Sequence, residues 1–115
     1  MSNIILQKSY RFAVRSVKLS RYLQKKFAEY VLSRQLLKAG TSIGANVTEA
    51  QQAQSRADFL SKLNIALKEA VEMEYWLRLL RDGNYLTSKE FNSIYSDCAE
   101  LIRILSSIVK TTKKP

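Results

Sequence analysis

The chain has 115 residues, 46% hydrophobic and 25% charged, with three glycines and one proline. That composition suits one all-helical domain spanning 1–115 and leaves too little chain for two independent cores. There is no histidine and one cysteine, Cys98, which excludes an internal disulfide, histidine-assisted catalysis and the common zinc and di-iron sites. The net charge is +9, and it is unevenly placed: residues 1–38 carry nine Lys/Arg against Glu29 alone. Residues 39–81 carry five of each sign, and residues 82–115 five basic against four acidic.

No apolar run approaches the roughly 18 residues of a membrane span. The stretch Met1–Lys8 is too short in apolar residues for a signal peptide. With a lone cysteine, a cytoplasmic location is expected.

The first helix is expected over 3–26. Lys8, Arg11, Arg15, Lys18, Arg21 and Lys25 recur every three or four residues. At 100° per residue they occupy one arc of about 140° and run for about 25 Å. Ile5, Phe12, Ala13, Val17, Leu23 and Phe27 gather on the other side, giving an amphipathic helix with a wholly basic polar face. No Gly or Pro marks its end.

The second helix is expected over 32–54, with Leu32, Leu36, Ile43, Val47 and Ala50 as its apolar stripe. Gly40 and Gly44 sit inside it, at about 1 kcal/mol each relative to alanine. Two glycines four apart make sense where another backbone approaches closely. Alternatively, Gly40 ends one short helix and Thr41 or Ser42 caps another.

The third helix is expected over 55–81, opened by Ser55-x-x-Asp58, a capping box with Asp in place of Glu. Its seam is Phe59, Leu63, Ala66, Ala70, Met73, Leu77 and Leu80, the a/d spacing of helices packed at small crossing angles. Asp82-Gly83-Asn84 makes the turn. The fourth helix, expected over 87–110, opens with the capping box Thr87-x-x-Glu90 and has Phe91, Ile94, Cys98, Leu101, Leu105 and Ile108 as its seam. The tail from Thr111 is expected to fray. Short connections between such helices predict an up-down-up-down antiparallel four-helix bundle.

Ile65, Trp76 and Leu79 lie roughly opposite the third helix's seam, with Tyr75 beside them. An exposed apolar patch with Trp and Tyr points to an oligomer interface. Asn46 and Glu49 flank the stripe of the second helix and read as a hydrogen-bonded pair fixing register or a subunit contact, more than as a shared polar site. The acids Glu69, Glu72 and Glu74 read as salt-bridge partners, with Lys68 and Arg78 four residues away, more than as a cation site.

Two stretches are distinctive. One is Tyr30 to Ala50, with Ser42, Ile43, Ala45, Asn46 and Glu49 in a Ser-Ile-x-Ala-Asn-x-x-Glu pattern; the other is Phe59-Leu60 followed by Ala66 to Leu80, with Glu72, Glu74, Tyr75 and Trp76. Both resemble the bacterial four-helix-bundle family of the 23S rRNA intervening-sequence proteins and the accessory proteins of diversity-generating retroelements. The resemblance implies a ring-like homopentamer. For the retroelement members it implies binding of nucleic acid and a reverse transcriptase through a basic surface.

The basic face of the first helix is the leading functional feature. Its six cations match a phosphate backbone, with Tyr10 and Tyr22 at its border and Tyr22 placed to stack on an unpaired base. RNA or DNA is therefore the expected partner, besides the chain itself. The alternatives are a solvated face that confers solubility and a protein-interaction scaffold for an acidic partner. No membrane partner is expected, because the helix's apolar side is needed for the core. Neither a cofactor nor a metal is expected, and no enzyme activity.

Overall fold

Periodic aliphatic seams on the third and fourth helices can only leave water by facing other helices, and the computed structural model, which describes residues 3–115, shows how they do so. Four helices follow in order: α1 Ile4–Phe27, α2 Leu32–Ala50, α3 Arg56–Asp82 and α4 Ser88–Lys113. Each packs on its neighbours in sequence, and α1 and α4 close the bundle. The bundle measures 48 × 21 × 21 Å. Met1 and Ser2 of the N-terminal stretch lie outside the described residues.

The α3 seam from Leu63 to Leu80 is buried throughout, as are Phe91, Ile94, Cys98, Leu101 and Leu105 of α4. At the end of α4, Val109 is buried in place of the expected Ile108, which is half-buried. The core of α1 differs more from expectation. Its buried side is Ile5, Ser9, Phe12, Ser16, Ser20 and Leu23, while Val17 and Phe27 are exposed. Two of the three serines, Ser16 and Ser9, match the two glycines of α2. A Cβ on Gly40 would lie 2.0 Å from Ser16 Oγ and 2.5 Å from Ser16 Cβ, and one on Gly44 would lie 3.1 Å from the Ser9 carbonyl oxygen. Helix α2 is therefore continuous through both glycines, which serve close approach to α1.

The buried serines carry their own hydrogen bonds, as burial of a hydroxyl demands. Ser16 Oγ donates to the Phe12 carbonyl at 2.9 Å, Ser9 Oγ to that of Leu6 at 3.2 Å, and Ser20 Oγ to that of Ser33 across the α1–α2 interface at 3.0 Å.

Helix ends follow local chemistry. Ala28 stops α1 by taking a left-handed backbone (φ 53°), so that its N–H and that of Glu29 return to the Gln24 and Leu23 carbonyls. Glu29 then accepts from the Ser33 N–H at 2.9 Å, placing a carboxylate at the positive end of α2. Helix α2 ends at Ala50, four residues before the expected Gln54, because Gln51, Gln52 and Ala53 tighten into three-residue turns and Asp58 accepts from the Gln54 N–H. The Ser55 and Thr87 caps form as expected, the second as a full capping box. Helix α4 continues to Lys113 where fraying was expected, because Arg56 of α3 donates to the Thr112 and Lys114 carbonyls. No described helix is long and apolar enough to cross a membrane.

Candidate nucleic-acid interface

Between Ile4 and Phe27 there is no acidic residue, so every charge on α1 is positive. The bundle divides the six cations into two groups. Lys8 Nζ lies 3.0 Å from Glu100 Oε1, and Arg15 Nη1 lies 2.7 Å from Asp97 Oδ2, both acids on α4. Arg15 also donates to the carbonyl and hydroxyl of Ser93. These two cations fasten α1 to α4. Arg11, Lys18, Arg21 and Lys25 are exposed, and among the described residues they form no ion pair. Exposed Tyr10, Val14 and Val17 stand among them, Tyr10 at 70% exposure.

Between α1 and α4, Lys18 alone of the four free cations borders a groove of about 480 Å³, lined also by Arg15, Leu19, Tyr22, Lys89 and Ile94 among others. Tyr22 is half-buried, its hydroxyl accepting from Lys26 Nζ at 3.0 Å, and Phe27 meets it edge-on at 6.1 Å. The hydroxyl contact raises the Lys26 ammonium above its ordinary pKa. Phe27 in turn stands edge-on to Tyr85 at 5.1 Å, so an aromatic cluster closes this end of the bundle. Sequence reasoning missed Lys89, because the chain beyond residue 82 is nearly neutral in total. A usable signal existed: a lysine in the first turn of α4, where the helix dipole disfavours a cation.

The motif residues of α2 do not form a site together. Asn46 Nδ2 donates to the Ser42 carbonyl one turn back at 2.8 Å, whereas Glu49 lies 3.1 Å from Lys62 Nζ of α3. The expected Asn46–Glu49 pair is thus replaced by two separate contacts, since Lys62 offers the carboxylate a full charge and Asn46 satisfies a local carbonyl.

On α3, Ile65, Tyr75 and Leu79 are exposed at 40%, 50% and 37%. Trp76 departs from the expected position opposite the seam. It is half-buried against the core, one heptad beyond Glu69 and two beyond Lys62, on the edge that faces α2. Its indole Nε1 is buried with no hydrogen-bond partner among the described residues, and its ring meets Tyr75 edge-on at 5.2 Å. The acids of α3 do not converge. Glu74 accepts from Tyr95 Oη at 2.8 Å, which raises the phenol's pKa. Glu69 is raised by burial first and by Glu72 next. Cys98 is fully buried, its Sγ 3.3 Å from the Ala70 carbonyl, and burial pushes the thiol up to about 12.

The model of the 23S rRNA-intervening sequence protein family matches residues 1–107. A crystal structure from Bacteroides thetaiotaomicron, of a protein with unknown function from the S23 ribosomal protein family, is 53% identical with a TM-score of 0.92. That match covers 93% of this chain and 99% of the other. No curated protein matches the chain.

Proposed function

The chain belongs to the 23S rRNA-intervening sequence protein family, and from that premise we propose that it is a non-enzymatic, self-associating helical bundle that binds RNA or DNA by its phosphate backbone. The observation that carries this reading is the row Arg11, Lys18, Arg21 and Lys25, four exposed cations without carboxylate partners among the described residues, on a helix that has no acid. Like charges along one exposed face repel each other, and a polyanion relieves that repulsion while releasing its own counterions. The face is a uniform row of cations whose guanidinium and ammonium groups suit phosphate oxygens, which favours recognition by charge and shape.

Self-association rests on α3. The exposed Ile65, Tyr75 and Leu79 gain from burial against a second copy. Five copies, the number the family resemblance implies, would repeat the basic face and let weak sites add by avidity. Service to a larger ribonucleoprotein or polymerase, implied by the retroelement resemblance, needs the same surface. Catalysis has no visible means: the chain lacks histidine, and its one thiol is buried and protonated at neutral pH.

The test is fluorescence anisotropy with structured RNA and with duplex DNA at about 50 mM salt, for wild type and for Arg11→Glu/Lys18→Glu/Arg21→Glu. Binding by wild type and its loss in the variant support the reading, and no binding by wild type overturns it. Light scattering on the same samples reports subunit number, and a monomer at micromolar concentration overturns the self-association half.

A further inference from the structure

We propose that the groove between α1 and α4 receives an unpaired nucleotide, so that the protein prefers single-stranded RNA over duplexes of equal charge; this rests on the nucleic-acid reading above. The groove combines two chemistries seldom found together on a solvated surface. Its walls include Leu19, Leu86 and Ile94 with the half-buried ring of Tyr22, an apolar bed for a base. Around them stand Arg15, Lys18 and Lys89, of which Lys18 and Lys89 form no ion pair among the described residues.

Lys89 is the informative residue. It lies in the first turn of α4, where the positive end of the helix dipole repels it, and it shares the groove with two cations of α1. Arg15 is already paired with Asp97, so Lys18 and Lys89 carry the free positive charge of this cluster, which an anion relieves. The one carboxylate in the lining, Glu90, offsets part of that charge while its Oε1 accepts from the Thr87 N–H at 2.9 Å in the capping box. An occupant that is apolar in its body and anionic at its edge satisfies both features, and a nucleotide has that form.

The same groove chemistry suits an acidic amphipathic peptide, but the surroundings favour a strand. Arg15 and Lys18 belong at once to the groove and to the α1 face, where the exposed cations Arg11, Arg21 and Lys25 continue. A phosphodiester chain can follow that face while one base turns inward. At about 480 Å³ the groove falls within the range of small-ligand sites and is roomy for a base. A base held in a duplex reaches it only after unpairing and unstacking, which favours single strands.

The experiment uses a fluorescein-labelled 12-mer of oligo(U) carrying 5-iodouridine, and an RNA duplex with the same number of phosphates. Anisotropy is measured for wild type, Lys89→Glu and Tyr22→Leu, and irradiated complexes are mapped by mass spectrometry. The proposal expects wild type to bind the single strand about tenfold more tightly than the duplex, both variants to lose that preference, and crosslinks at Tyr22. Circular dichroism of each variant confirms that the bundle is intact. Equal affinity for both RNAs, or crosslinks at Tyr10 or Tyr30 with none at Tyr22, overturns the groove while leaving the basic face standing. No binding of either RNA by wild type overturns the nucleic-acid reading and the groove with it. Displacement of neither RNA but saturable binding of an acidic amphipathic peptide, abolished by Lys89→Glu, also overturns it and assigns the groove to a protein.

Discussion

Gly40 of α2 and Ser16 of α1 pack so closely that a methyl group on the glycine would overlap the serine's Cβ at 2.5 Å. The serine is fully buried, and its hydroxyl is tied to its own helix at the Phe12 carbonyl. The pair fixes how near the two helices lie. It also explains why α1 keeps serines where α3 and α4 carry Leu, Met and Ile.

Gly40→Ala should therefore destabilise the bundle by about 1–3 kcal/mol, even though alanine is the better helix former by about 1 kcal/mol. Ser16→Gly in the same chain should restore most of the loss, because it removes the atoms that the new methyl meets. Urea unfolding of both single variants and the double variant measures the coupling. Additive losses would show that the helices do not meet at this point.

Arg11 and Arg15 lie one turn apart on the same helix but have different duties. Arg15→Ala should cost about 0.2–1 kcal/mol of stability, the range for a partly exposed ion pair, through loss of Asp97 and Ser93. Arg11→Ala should leave the melting temperature unchanged while weakening polynucleotide binding. Thermal denaturation and anisotropy on the same two proteins separate the roles, and equal effects on stability would erase the distinction.

Burial and the neighbouring Glu72 charge hold the Glu69 carboxyl above its ordinary pKa, against the pull of Lys38 and Lys68. The sign follows directly. Below the ordinary carboxylate pKa, both folded and unfolded chains carry the proton and nothing is gained or lost. As pH rises through the raised folded value, the folded state must ionise an unfavourably placed acid, so stability falls and then levels off. Glu69→Gln should thus be more stable than wild type at neutral pH and equal to it near pH 3. Chemical denaturation at both pH values checks this, and an equal difference at the two would contradict it.

The Cys98 thiol, pushed up to about 12 by burial, should resist a thiol reagent at pH 8 and react in full once the chain is unfolded. Labelling followed by mass spectrometry gives the result directly. Rapid reaction in the native state would mean that the α3–α4 contact opens readily.

The seams of α3 and α4 were legible because aliphatic residues recur at a/d spacing, and Leu63, Met73, Leu77, Leu101 and Leu105 are buried accordingly. The seam of α1 was not, because Ser9, Ser16 and Ser20 count as polar in a sequence yet act as small residues once each hydroxyl bonds a backbone carbonyl. Val17 and Phe27 were drawn into the expected core in their place. The basic row on α1 was visible from spacing alone. Its division into two anchoring and four free cations was not, since Lys8 and Arg15 meet acids more than 80 residues away on α4. Lys89 joins the surface for the same reason, across a groove that only the packed bundle forms.

The most direct measurement of the central claim is the slope of log affinity against log salt for single-stranded RNA, taken for wild type and for Arg11→Ala, Lys18→Ala, Arg21→Ala and Lys25→Ala one at a time. The account predicts a steep negative slope for wild type that becomes shallower by about 0.7 with each substitution, the share of one phosphate contact on a single strand. A flat slope, or one that none of the four substitutions alters, would contradict it.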